Sequence, residues 1–141
     1  MSSSLDQILD DFAYLDEWED RYRYVIDLGK QLPDLPEEER TRENKVEGCA
    51  SQVWLVSAVG DGTDPVLTFR GDSDAHIVRG LVAIVLAVYS GLPASVVAKT
   101  DALDTFGKIG LVEHLSAQRA NGLRSMIKRI RETAIGILAK G

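Results

Sequence analysis

Apolar residues in the first third of the chain recur every three or four positions, as they do on one face of a helix. This pattern predicts a first helix from about Ser4 to Tyr14 and a second helix that continues to Leu32. Asp16 and Glu19 have the spacing of a capping box, so we expect Asp16 to cap the second helix. The proline-rich segment after Leu32 then ends it.

The middle of the chain changes to β-branched and aromatic residues at a period of two. This change predicts strands over residues 51–59 and 66–70, with Asp61-Gly62 in the turn between them. A short extended piece around Lys45-Val46 is a candidate third strand. Because these segments are close in sequence, we expect them to pair antiparallel.

Helical patterns return after the strands. Ser73 is the predicted N-cap of a helix that runs to about Tyr89, with Asp74 in its first turn, where a negative charge is favourable. This helix is apolar on nearly all sides from Ile77 onward, so we expect it to be the central buried helix. Shorter helical pieces are predicted over residues 94–99 and 102–106, and a final helix from near Ser116.

The order of the elements is helices, then a small sheet, then helices. It predicts an α+β fold in which a small antiparallel sheet packs against several helices. With 141 residues and no linker or repeat in the sequence, we expect residues 1–141 to form one domain. A hydrophobic content of 45% with 27% charged residues makes the disordered and fibrous classes unlikely matches.

Composition also bears on the compartment and on partners. The longest apolar run has nine residues, and the N-terminus lacks the pattern of a secretory signal, so we expect a cytoplasmic protein with no membrane segment. Residues 1–44 hold 13 acidic and 5 basic residues, whereas residues 117–141 hold 1 acidic and 6 basic residues. No aromatic residues alternate with those basic residues, and the whole chain is acidic, so we expect no nucleic-acid partner.

Cys49 is the only cysteine of the chain and the most informative candidate for chemistry. Gly48 before it can adopt backbone angles closed to other residues, so Gly48-Cys49 predicts a turn that can direct the thiol outward. A single cysteine forms no internal disulfide, no CxxC pair and no multi-cysteine metal cage. Any chemistry of this thiol therefore has to be completed on another molecule.

Two other interpretations of Cys49 stay open at the level of residue pattern. It can be an inert, buried small residue in a domain that only binds a partner. It can also be the nucleophile of a thiol hydrolase, with His76 or His114 as the base. The simpler expectation is that His76 caps or is exposed and that His114 packs locally near the last helix. We find no metal-ligand spacing and no phosphate-binding loop, and we expect no cofactor.

Two arginines occupy unusual positions. Arg119 falls in the first turn of the last helix, where a cation opposes the helix dipole, which hints at a contact elsewhere. Arg79 falls among apolar residues of the central helix, and we expect its side chain to extend to the surface.

Four sequence blocks together carry a family resemblance. They cover residues 23–33, which end in Leu-Gly-Lys-Gln-Leu-Pro, residues 44–54 around Cys49, residues 71–81, and residues 110–126 with Arg119. In this order they resemble the SufE family of cysteine-desulfuration proteins, which accept sulfur for iron–sulfur cluster assembly. The resemblance implies an α+β fold similar to that of IscU-type scaffolds.

The resemblance also implies a mechanism. A SufS-like, pyridoxal-phosphate-dependent cysteine desulfurase would hand persulfide sulfur to Cys49, and the loaded protein would deliver it to a SufBCD-like scaffold complex. Gly48, Ser51 and Asp74 match family positions that support the cysteine loop, and Arg119 matches one linked to the desulfurase interface. The CsdE-like branch, which serves another desulfurase, shares these motifs, and a homodimer is possible. The protein would then be a sulfur-transfer partner and not itself an enzyme.

Overall fold

The computed structural model describes residues 5–49 and 51–140, and over these residues the fold is α+β, as predicted. The helices are α1 (Leu5–Tyr14), α2 (Trp18–Lys30), α3 (His76–Tyr89), α4 (Ala94–Lys99), α5 (Ala102–Lys108) and α6 (Ala117–Lys140). The strands are β1 (Val53–Val59), β2 (Val66–Ser73) and β3 (Leu92–Pro93). Single 3₁₀ turns cover Glu37–Glu39 and Val112–His114. The predicted start of the first helix at Ser4 lies outside the described residues.

The sheet is antiparallel with the order β1-β2-β3. Val53 pairs with Ser73 at one end of the β1–β2 ladder, and Val59 pairs with Leu67 at the other. The expected third strand at Lys45-Val46 is reduced to an isolated bridge between Lys45 and Trp54. The third strand is instead β3, a two-residue segment too short to give a recognisable pattern in the sequence.

Helix α3 is the central helix, as its apolar sequence predicts. Ten of its 14 residues are buried, and it packs on both α2 and the inner face of the sheet. Gly29 of α2 and Gly80 of α3 lie where the two helices cross, and a Cβ on Gly29 would come within 2.7 Å of the Gly80 nitrogen. The two glycines therefore allow the helix backbones to approach each other closely.

The predicted caps of two helices are wrong. Ser73 is the last residue of β2, and α3 begins at His76 after Ala75, so Asp74 precedes the first turn. The reason is that the side chains of Ser73 and Asp74 bind the backbone of Gln52 rather than that of α3.

The second incorrect cap is Asp16. Helix α2 starts at Trp18 with Glu17 at the N-cap position, where no side chain caps the helix. The α1–α2 connection is held by Arg21, whose guanidinium donates to the carbonyl oxygens of Leu15 and Phe12.

The prediction for Arg79 is also wrong, because its side chain turns inward. It donates to the carbonyl oxygens of Gly29 at 3.1 Å and Leu32 at 2.8 Å, and pairs with Asp34 at 2.9 Å and Asp72 at 3.0 Å. The carbonyl groups at the end of α2 and in the segment after it lie beyond the regular helical ladder, and Arg79 gives them a charged donor.

Asp72 is fully buried at the centre of this ionic network. Besides Arg79, its carboxylate accepts from Arg40 at 2.7 Å, from the Leu35 N–H at 3.1 Å and from the Ser73 N–H at 2.8 Å. A buried charge needs such partners to offset its lost hydration. The network fixes the end of β2 that carries Ser73 and Asp74.

Candidate functional site

The turn before the cysteine depends on Gly48. Its φ of 88° lies in the left-handed region that favours glycine. A Cβ at this position would also lie 2.6 Å from Oγ of Ser125 on α6. Conformation and space both require glycine here, because the loop lies directly on α6.

The thiol of Cys49 is half-buried against α6. Its Sγ donates a long hydrogen bond of 3.6 Å to the carbonyl oxygen of Gly122. The thiol therefore rests on the backbone of α6 at Gly122. Gly122 was not identified as a site residue from the sequence, although a glycine inside a helix costs about 1 kcal/mol relative to alanine and so suggests a packing reason.

A cavity of about 310 Å³ adjoins the thiol. The cavity is lined by both apolar and polar residues. The apolar residues are Val53, Val78, Leu81 and Met126, and the polar ones are Ser51, Ser116, Gln118 and Arg119. Cys49 therefore lies beside a space larger than a single atom, enclosed mainly by the core and by α6.

Burial is the main influence on the acidity of Cys49, and it raises the pKa of the thiol. The Glu47 carboxylate raises this pKa further, whereas the Lys45 ammonium lowers it. Burial and Glu47 thus disfavour the thiolate, which is the form that nucleophilic chemistry requires.

The residues after the cysteine are fixed to the end of β2. The Asp74 carboxylate accepts the N–H of Gln52 at 3.0 Å, and the Ser73 hydroxyl donates to the Gln52 carbonyl at 2.6 Å. The side chain of Asp74 thus binds the backbone of the cysteine loop. Ser51 lines the cavity beside the thiol.

Comparison with known proteins identifies the family. A family model described as "SufE: Fe-S metabolism associated domain" matches residues 6–134. The chain belongs to the SufE family. Membership supports a sulfur-related role in iron–sulfur metabolism and implies an interaction with a cysteine desulfurase.

Two relatives of this SufE-family chain are also SufE-like by name. An uncharacterized SufE-like protein of Rhizobium meliloti is 73% identical over 137 residues, covering 96% of this chain and 98% of the relative. One from Rhizobium etli is 71% identical over 133 residues, covering 94% and 90%. A solution structure of a hypothetical protein from Thermus thermophilus has a TM-score of 0.72 at 17% identity and covers 96% of both chains, which supports the fold alone.

Neither histidine lines the cavity beside Cys49. His114 is exposed and stacks on Trp18, with ring centroids 3.4 Å apart, which confirms the expected local packing. His76 is exposed as the first residue of α3 and lines a separate depression with Gly29 and Arg79. The hydrolase hypothesis therefore lacks a positioned base within the described residues.

Arg119 lies close to Cys49. It is half-buried in the first turn of α6, and its N–H donates to Oγ of Ser116 at 3.2 Å, which confirms Ser116 as the cap. Its side chain lines the cavity of Cys49.

Across residues 5–49 and 51–140, no group of three His, Cys, Asp or Glu side chains is arranged to hold a metal ion. Within the same residues, no helix has both the length and the apolarity needed to cross a membrane.

Proposed function

We propose that this SufE-family protein accepts persulfide sulfur from a cysteine desulfurase on Cys49 and passes it to an iron–sulfur scaffold. The observation that carries the proposal is the sole cysteine of the chain held beside a partly apolar cavity of about 310 Å³. A lone thiol suits a carrier, because a second thiol nearby would attack the persulfide and release the sulfur as sulfide. The protein then acts as one unit over residues 1–141 and has no turnover of its own.

The transfer is an exchange between two sulfur atoms. The Cys49 thiolate attacks the terminal sulfur of the desulfurase persulfide, and the bond between the two desulfurase sulfurs breaks. The desulfurase cysteine leaves as a thiolate, and Cys49 becomes a persulfide. One S–S bond forms as another breaks, so the step needs neither oxidant nor reductant.

The cavity supports a protected resting place for the transferred sulfur. The apolar side chains of Val53, Val78, Leu81 and Met126 lie on one side of the thiol. A terminal sulfur that enters this space is shielded from thiols in solution. Neutral sulfur is soft and weakly polar, so the protonated form of the persulfide suits this apolar side, whereas its anion would need a polar partner.

The raised pKa of Cys49 supports activation by docking. Binding of a SufS-like desulfurase near Arg119 would draw the cysteine loop away from α6, and loss of burial would lower the pKa of the thiol. In this scheme Gly48, Ser51 and Asp74 shape the loop. A SufBCD-like scaffold would take the sulfur in the cytoplasm, and the desulfurase that the CsdE-like branch serves is the alternative donor.

A turnover assay tests this function. We expect the purified protein to increase alanine formation by a SufS-like desulfurase from free cysteine at least several-fold, because it removes the persulfide that blocks the next cycle. Cys49→Ser should abolish the stimulation while leaving the circular dichroism spectrum unchanged.

The same preparation separates the competing functions. Hydrolysis of a thioester or amide that depends on Cys49 and is lost in His114→Gln or His76→Gln would favour a thiol hydrolase. Binding of the desulfurase with no stimulation, by the wild type and by Cys49→Ser alike, would favour a domain with an inert cysteine. Either result would overturn the carrier proposal.

A further inference from the structure

Arg129 of α6 binds the backbone just before the cysteine turn. Its Nη1 donates to the carbonyl oxygen of Lys45 at 3.2 Å, and its Nη2 donates to that of Glu43 at 2.5 Å. Both acceptors are main-chain atoms, so the contact fixes the path of the chain and not the identity of its side chains. A planar guanidinium is suited to bridging two carbonyl groups in this way.

Arg129 belongs to a row of α6 residues that meets the cysteine loop in order. Gly122, Ser125 and Arg129 are spaced by three and four, which places them along one face of the helix. Gly122 contacts Cys49, Ser125 lies against Gly48, and Arg129 holds the backbone farther upstream. The segment of residues 43–49 thus lies along α6, and we refer to residues 43–46 as the approach segment.

The approach segment is also tied to β1. The Val46 N–H donates to the Val53 carbonyl at 2.8 Å, and the Leu55 N–H donates to the Asn44 carbonyl at 2.8 Å. By contrast, the thiol contact with Gly122 at 3.6 Å is weak. Strong contacts therefore hold the two sides of the loop, and a weak one holds its tip.

We infer that Arg129 is a positioning residue for sulfur transfer. It fixes the approach segment on α6, so that movement is confined to the tip of the loop and Cys49 returns to its cavity after each transfer. The inference rests on the proposed function of Cys49, but it concerns a residue remote from the thiol. Loss of Arg129 would leave Cys49 more accessible to small reagents and less well presented to the desulfurase.

Arg131 offers a matched control on the same helix. Its Nε and Nη2 both donate to the Ala98 carbonyl at 3.2 Å, so it ties α6 to α4 instead of to the cysteine loop. Arg129→Gln and Arg131→Gln each remove one positive charge and two hydrogen bonds between a guanidinium and the main chain. A general loss of stability should affect the two variants alike.

The first test measures alkylation of Cys49 by iodoacetamide in the full chain, below the thiol pKa and without desulfurase. We expect Arg129→Gln to react about tenfold faster than the wild type, the factor that corresponds to losing one charge-assisted hydrogen bond. Arg131→Gln should stay within about twofold of the wild type, because its contacts lie elsewhere. Equal rates for the two variants at equal thermal stability would overturn the inference.

The second test measures desulfurase turnover against carrier concentration. We expect Arg129→Gln to lower the maximal rate and leave the half-saturating concentration nearly unchanged, because Arg119 at the cavity mouth is intact. Arg129→Lys, which can still reach one carbonyl, should recover part of the rate. A change in half-saturation alone would contradict a positioning role.

Two fallback measurements cover a variant that does not fold and a wild type that does not stimulate the desulfurase. If Arg129→Gln does not fold, hydrogen exchange of the approach segment in Arg129→Lys gives the answer, and unchanged protection there would contradict the inference. If the wild type fails to stimulate the desulfurase, the proposed function fails. Alkylation and hydrogen exchange still test separately whether Arg129 fixes the approach segment.

Discussion

At the scale of single residues, burial and two flanking charges set the reactivity of Cys49. Burial and Glu47 raise the pKa of the thiol, and Lys45 lowers it. The half-buried thiol is therefore disfavoured as a thiolate, which suits a carrier that must not react before it meets its donor. A hydrolase nucleophile would need the opposite arrangement, with a base that lowers the pKa of the thiol.

Burial, Glu47 and Lys45 together predict how the reactivity of Cys49 depends on pH. Because the pKa is raised, thiolate forms at higher pH, so the alkylation rate of Cys49 should rise with a midpoint above that of an unperturbed thiol, about 8.5. Glu47→Gln should shift the curve to lower pH, since it removes a charge that disfavours the thiolate. Lys45→Gln should shift it to higher pH. A common shift in one direction for both variants would contradict this account.

The same pKa has a consequence for stability. The folded state holds the thiol proton more tightly than the unfolded chain, so this contribution to stability is present below the unfolded thiol pKa. It declines as the pH rises toward the folded pKa.

At the scale of elements, the closest packing lies where α2 crosses α3. A Cβ on Gly80 would collide with the Val25 carbonyl oxygen, which belongs to a helix backbone and cannot move aside easily. Because α3 also packs on the sheet, displacement of either helix would disturb the inner wall of the cysteine cavity, which includes Val78 and Leu81.

Substitution of glycine by alanine at two helical positions tests this packing. Gly80→Ala should destabilise the protein by about 1–3 kcal/mol or more, because overpacking forces the backbones apart. Gly136 on α6 has open space around it, so Gly136→Ala should stabilise by about 0.5–1 kcal/mol through helix propensity. Urea unfolding of both variants measures the difference. Equal effects would show that the helix crossing does not require glycine.

Sequence periodicity predicts the helices and the β1–β2 hairpin well because it reflects which face is buried. The residues that join one element to the next are harder to predict. The side chains of Ser73 and Asp74, between β2 and α3, can bind the backbone of either α3 or Gln52. Only the folded chain shows that Gln52, just before β1, lies close enough to bind them. Arg79 was misjudged for the same reason, because its acceptors on Gly29 and Leu32 are about 50 residues away in sequence.

In the candidate site, too, local features can be predicted from the sequence and contacts between distant residues cannot. Cys49 and Gly48 are evident in the sequence, because a lone cysteine after a glycine is informative by itself. The sequence does not predict the contacts between α6 and the cysteine loop, because they join residues more than 70 positions apart. These contacts are made by Gly122, Ser125 and Arg129. Arg119 was singled out by its unfavourable place in the helix dipole, and the structure places it at the cavity.

At the scale of the whole molecule, the cysteine loop is held between two separate parts of the chain. Helix α6 supports its approach and its tip, and the end of β2, fixed by the Asp72 network, holds the residues that follow. This arrangement places firm hydrogen bonds on both sides of the loop and only the weak contact between Cys49 and Gly122 at its tip. It fits a protein that must shelter a sulfur atom and then present it to a partner.

The central claim, that Cys49 carries sulfur, is tested most directly by intact mass. The protein is incubated with a SufS-like desulfurase, its pyridoxal phosphate and cysteine, and its mass is then measured without reductant. We predict a gain equal to one sulfur atom, located on Cys49, reversed by dithiothreitol and absent in Cys49→Ser. An unchanged mass with an active desulfurase, or an equal gain in Cys49→Ser, would contradict the account.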